Sequence, residues 1–221
     1  MRGKNDMFRM DSIDIPNSDQ IWIGEFYEGL SETFNERVME SFARCPIKPI
    51  VIFINSPGGL TSEMLSMMDT MDRVRAQAPE EFYFITYASG MAKSAGADLL
   101  AHGDMRIATP KTRVMLHQSR GELGGSFPDA EIQFNDWNAE NEMMFDILLA
   151  NTKLKGGMKA LKKLLDRDAC MSPEEAKKYG IIDEVGYLCY RERAYYEVGV
   201  KATERKLKGN TLRKNIFSKE D

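Results

Sequence analysis

Only two histidines and three cysteines occur among the 221 residues. Cys45, Cys170 and Cys189 are scattered, with neither metal-ligand spacing nor a disulfide framework, so a reducing, cytoplasmic setting is expected. The longest unbroken apolar run, "IVIFI" at 50–54, is far too short to span a bilayer. The opening "MRGKNDMFRMDSIDIP" lacks the apolar stretch of a secretory signal, and its acidic residues argue against an organellar transit peptide. Neither sign of charge dominates: a net charge of -4 gives no polyelectrolyte argument for nucleic acid or an anionic membrane. With 43% hydrophobic and 29% charged residues, the composition is that of a soluble globular protein, and the length suits one domain with a well-buried core.

Strands and helices alternate along that chain. "QIWIGEF" reads as a strand, and "SETFNERVMESFARC" as an amphipathic helix opening on Ser31. "KPIVIFIN" is a continuous apolar run rich in β-branched residues, as expected of a strand covered on both faces. It stops at the turn "SPGG", and a helix follows in which Met64, Leu65, Met68 and Met71 fall at core spacing. The unit recurs as strand "EFYFITYA", a Gly/Ser turn and helix "SAGADLLAH". Strands "MRIAT" and "TRVMLHQ", one long helix from Pro128, two short helices and a closing strand "IIDEVGYL" complete the pattern. The class is α/β with a largely parallel sheet. The first fifteen residues are expected to be loosely ordered, and from Arg191 onward the chain is charged, reading as an exposed helix or frayed tail.

The stretch "ITYASGMAKSAGADLLAHG" places Ser94 between small residues, with Ala92 two before it and Gly96 two after. A sharp strand-to-helix turn needs that spacing, because its central residue sits at a strained angle where larger neighbours collide. Such a turn pushes one hydroxyl outward at a helix start; a tightly packed helix start is the bland alternative. A base is quickly sought among two histidines. His102 lies eight residues further along the same helix, roughly 12 Å along its axis, and reads as structural. His117 ends a strand, and side chains at the carboxyl ends of parallel strands line the active crevice. Carboxylates are plentiful: Asp166 and Asp168 both lie just before a helix marked by Ser172, Pro173 and Glu175. The glycines of "INSPGG" allow a close backbone approach, so a glycine N–H there and the N–H after Ser94 would form a two-donor oxyanion hole.

"FINSPGGLTSEMLSMMDTM", "ASGMAKSAGADLLAHG", "RVMLHQ" and "DRDACMSPEEAKKYGIIDEV" occur in one order with sensible spacings. Together they resemble the proteolytic subunit of the Clp protease family, from about Ile21 to about Val185. The resemblance implies a crotonase-like α/β spiral of ββα units carrying a long handle helix around Ala130 to Leu149. It implies Ser94 as nucleophile, His117 as general base and Asp168 as the acid, four residues before the helix-capping serine. Gly59 and the backbone of Ala95 match the oxyanion donors, and Gly58, Ser119, Arg120 and Gly121 match the strip that pairs with substrate backbone. Polypeptide substrates, a homo-oligomer of two stacked heptameric rings and an AAA+ unfoldase partner are implied as well; no metal or organic cofactor is needed. On this reading a flexible segment 1–15 precedes a peptidase domain over 16–190 and a charged extension over 191–221.

The chain departs from the family at several points. His117-Gln118-Ser119 stands where His-Gln-Pro is usual, followed by Arg120-Gly121-Glu122 rather than an apolar-Gly-Gly stretch. Lys93 replaces the usual alanine before the serine. These features mark a divergent branch, with a phage-type member that processes virion proteins as one alternative. The others are a catalytically silent ring subunit, a crotonase-type enzyme binding acyl-CoA thioesters, and a serine–lysine signal-peptide peptidase relative.

Overall fold

The computed structural model describes residues 12–15, 18–120 and 122–190. The charged extension, most of the amino-terminal segment and Gly121 lie outside the described residues. Within that segment, Ser12–Ile15 forms a strand, β1.

A parallel path of five strands runs β2 (Asp19–Ile23), β3 (Ile50–Ser56), β4 (Phe84–Lys93), β5 (Met105–Ala108) and, beside β5, β8 (Glu184–Val185). Next to the carboxyl end of β4 lies β6 (Arg113–Leu116), also parallel, with β7 (Ala169–Met171) antiparallel beyond it. β1 pairs in parallel with β9 (Tyr187–Tyr190) as a separate ribbon. The helices are α1 (Leu30–Arg44), α2 (Thr61–Arg75), α3 (Ala95–Ala101), α4 (Phe127–Asn151), α5 (Gly157–Leu164) and α6 (Pro173–Lys178). This is the mixed α/β architecture with a mostly parallel sheet that the alternating pattern implies.

The apolar run of β3 is covered on both faces as expected. Ile50, Ile52 and Ile54 join the main core with Met64, Met67, Met68 and Met71 of α2, while Val51 packs with Ile85, Tyr87 and Ile107 on the other side. Met67 takes the place expected for Leu65, which is only partly buried.

Three boundaries differ from the sequence reading, each through a distant partner. α1 opens at Leu30 rather than on Ser31, because Glu63 of α2 accepts the N–H groups of Gly29 (3.1 Å) and Ser31 (2.7 Å). Those bonds stabilise the carboxylate and lower its pKa. The turn expected after "EFYFITYA" is instead a continuation of β4 through an irregularity: Ile54 pairs with Ala88, but Ser56 pairs with Ala92. The extra residues let β4 leave β5 and take up β6, so that Met91, Ala92 and Lys93 pair with Arg113, Val114 and Met115. Finally, the closing strand is split into β8 and β9, which pair with different partners.

His102 is structural, as expected. It is buried at the end of α3, with Nε2 3.0 Å from Asp72 Oδ1 and Nδ1 2.8 Å from the side-chain amide of Asn151. Burial, then the adjacent Arg75 charge, lowers its pKa against the opposing pull of Asp72.

Candidate active site

Ser94 sits between the end of β4 and the start of α3 with φ 52° and ψ -131°. It is the one non-glycine with positive φ among the described residues. The strain is held by its surroundings. Its N–H donates to Met115 O of β6 at 2.8 Å, and its own carbonyl accepts from Ala97 (2.7 Å) and Asp98 (3.1 Å). The small neighbours are required: Ala92 is fully buried, and a Cβ on Gly96 would lie 2.7 Å from Ser56 Cβ.

Across from the serine runs the turn after β3. A Cβ on Gly58 would lie 2.6 Å from Ser94 Cβ and 3.2 Å from its Oγ, so this backbone passes directly over the hydroxyl. Gly59 has φ 140°, and a Cβ there would lie 2.2 Å from the carbonyl oxygen of Phe26, so only glycine fits. Phe26 N–H donates to Gly58 O and Leu60 N–H donates to Phe26 O, both at 2.9 Å, in a parallel bridge. That bonding turns the N–H of Gly59 away from Phe26. Ala95 is the first residue of α3, so its N–H has no intrahelical acceptor.

His117 follows the end of β6 directly. Lys93 and Met115 are paired in register, so Ser94 and His117 leave neighbouring parallel strands at the same edge, strands lying about 4.8 Å apart. Ser94, Ala95, Gly59, His117, Ser119 and Arg120 line one cavity of about 440 Å³. Asp168 is not on that wall; it shares an adjoining cavity of about 560 Å³ with His117. Its carboxylate is paired with Arg120, and Nδ1 of His117 is buried without a hydrogen-bond partner among the described residues. The turn expected around Asp168 is also shorter than the sequence suggests, since β7 begins at the next residue. Asp166 lines the same adjoining cavity.

The strip after His117 is tied down. Gln118 donates to Leu165 O (2.9 Å), and the Ser119 N–H donates to the side chain of Asn141 in α4 (2.8 Å). α4 therefore supplies the cavity's far wall through Trp137, Glu140, Asn141 and Phe145, residues the sequence pattern did not single out. Asp98 was also missed. It lines the cavity from α3, and burial raises its carboxyl to about 7. The available signal was one acid inside the otherwise apolar helix "AGADLLA".

A crevice at the carboxyl ends of parallel strands, built around a strained serine turn, defines an α/β protein of the kind whose chemistry lies at that sheet edge. A family model described as Clp protease matches residues 21–187, and the chain belongs to that family. It is accordingly a peptidase of the Clp protease type.

Proposed function

We propose that the protein is the ATP-independent serine endopeptidase core subunit of a self-compartmentalised protease, cleaving unfolded proteins or peptides. The observation that carries this reading is the strained Ser94 facing one cavity with His117 at adjoining strand ends. Ser94 Oγ attacks the peptide carbonyl while His117 takes its proton. The tetrahedral oxyanion rests on the N–H groups of Gly59 and Ala95, and the collapsing intermediate expels the amine with the proton returned by His117. Water then hydrolyses the acyl-serine by the same route. Removing one oxyanion donor of this kind typically costs roughly a hundredfold or more in rate.

Asp168 serves as the acid that holds the His117 Nδ1–H, once it exchanges Arg120 for the imidazole. Both lie on one cavity wall, and Nδ1 has no other partner among the described residues. The exchange is inexpensive because the Arg120 and Asp168 side chains are 64% and 43% exposed, and such surface pairs contribute about 1 kcal/mol or less. Gly58, Ser119 and Arg120 border the substrate backbone in this reading. Stacked heptameric rings joined along α4, a cytoplasmic setting and an AAA+ unfoldase that feeds the compartment complete it. Large apolar side chains of α4 stand exposed on the single chain, including Phe127, Ile132 and Phe134, as a handle buried by a neighbour requires. Among the described residues no helix is long and apolar enough to cross a membrane.

Ser94→Ala is expected to abolish peptidase activity and fluorophosphonate labelling while electron micrographs still show assembled rings. Labelling that persists in this variant refutes the nucleophile. A second reading, a silent ring subunit, draws on the Arg120–Asp168 pair, which leaves His117 without its acid. Peptide turnover by the purified chain alone excludes it.

A further inference from the structure

Asp98 is the one charged residue on α3, and its carboxyl has no hydrogen bond or ion pair among the described residues. Burial alone perturbs it, with no compensating donor or cation, and lifts its pKa to about 7. Asp98 is half-buried, and a carboxyl so placed loses hydration unless a donor or cation offsets the loss; none does among the described residues. Its position says what would. Asp98 follows Ser94 by one helical turn, about 5.4 Å, and helical side chains lean back towards the amino-terminal turn, here towards Ser94. It opens on the same cavity as the serine, whose walls include Met144, Phe145 and Leu148 of α4 and Leu165.

We propose that Asp98 makes this cavity a receptor for a cationic side chain, so that the enzyme prefers lysine or arginine on the acyl side of the cleaved bond. The inference rests on the peptidase reading and adds the substrate class. The apolar walls suit the methylene stem of such a residue, and the carboxylate meets its charged head. The cavity's other ionisable groups are His117, Arg120 and Glu140. When Asp168 turns to His117 it releases Arg120, whose charge is balanced by Glu140 on the facing helix, so the carboxylate of Asp98 remains in excess and the field favours a cation. An apolar side chain in that place would leave the carboxyl buried and unpaired.

The test uses the purified full chain and fluorogenic peptides that differ only in the residue before the cleaved bond: lysine, arginine, leucine or glutamate. Wild type is expected to cleave the lysine and arginine peptides with kcat/KM at least about tenfold above the leucine peptide, the worth of one charge-assisted hydrogen bond. Asp98→Leu should invert that order, and Asp98→Asn, nearly isosteric, should abolish the preference, each read as the ratio of kcat/KM between the peptides within one variant so that a general change in rate cancels. Labelled wild type that cleaves leucine as well as lysine overturns the role of Asp98 and leaves the peptidase reading standing. An absence of both labelling and cleavage in wild type overturns the peptidase reading itself, and this inference with it.

Discussion

In the proposed mechanism Arg120 and His117 compete for one carboxylate, and that competition would set how much of the enzyme is ready for chemistry. Asp168 is paired with Arg120, while Nδ1 of His117, which needs an acceptor to hold the right tautomer, has none among the described residues. The exposed pair is worth about 1 kcal/mol or less, so removing Arg120 should shift the balance by a few-fold at most. Arg120→Ala is expected to raise the rate of Ser94 labelling about two- to fivefold, read by single-turnover kinetics with a fluorophosphonate. An unchanged or lower rate means that Arg120 does not hold Asp168 away from the histidine. The sequence made Ser94 and His117 legible because their signals are local: small residues around a turn, and a scarce base at a strand end. The Arg120–Asp168 pair joins residues 48 apart and depends on where two loops meet, so no spacing along the chain announces it. Asp98 announced itself only as a misfit of polarity, which becomes informative once the cavity beside it is known.

The elements divide the same way. The start of α6 was readable to the residue, because its capping box is built from neighbours: Ser172 accepts from the Glu175 N–H, and the Glu175 side chain returns to the Ser172 N–H. β3 and α2 were readable from unbroken or periodic apolar residues. The continuation of β4 past its irregularity was not, because it depends on β6 capturing Met91 to Lys93. Three-residue β7 was hidden for the same reason: it exists only as a partner of β6. These two events aim the serine, and Gly96 locks the result by letting α3 close against Ser56. Two effects of opposite sign meet at this glycine. Alanine would gain up to about 1 kcal/mol of helix propensity, whereas forcing a methyl to within 2.7 Å of Ser56 Cβ costs roughly 1–3 kcal/mol of overpacking. The clash should dominate, since the opposing atom belongs to a fully buried residue that has no room to retreat. Gly96→Ala is therefore expected to lower the thermal midpoint by several degrees and to slow Ser94 labelling; a raised midpoint would show that α3 relaxes freely.

At the scale of the molecule, α4 is a lever anchored at one end. Its carboxyl terminus is held by two buried groups: Arg106, which donates to Asn151 O, and His102, which meets the Asn151 side chain. Its amino-terminal half carries the most exposed apolar residues, Phe127, Ile132 and Phe134, and its middle contributes Asn141 to the strip beside His117. The anchor thus couples the proposed ring contact to the site, and its two ends titrate separately. Asp183 grips Arg106 through Nη2–Oδ1 (2.8 Å) and Nε–Oδ2 (2.9 Å), with Lys153 at 3.0 Å. Burial alone would push this carboxyl up, but the Arg106 bonds and charge, helped by Lys153, outweigh it and pull it down to about 2. A depressed carboxylate contributes stability that is complete above its unfolded value near 3.8 and is lost as pH falls through about 2. His102 behaves differently in position but not in sign. Its pKa is lowered from 6.5, so it stays neutral when folded, and stability falls as the pH drops below 6.5 and the unfolded chain takes the proton first. Asp98 works in the same range with the opposite sign, since a carboxyl raised to about 7 takes its proton in the folded state first. The early stage below about pH 6.5 is therefore the sum of a His102 loss and an Asp98 gain, and a later loss follows between about 4 and 2. His102→Gln is expected to remove the His102 part of the early stage in urea titrations, so that between about pH 6.5 and 4 the variant loses less stability, or gains more, than wild type. Asp183→Ala, which leaves Arg106 buried and unpaired, should cost about 3–5 kcal/mol even at neutral pH. If His102→Gln leaves the early stage intact, the anchor of α4 is not what titrates there, and the coupling between the helix end and the site loses its first support.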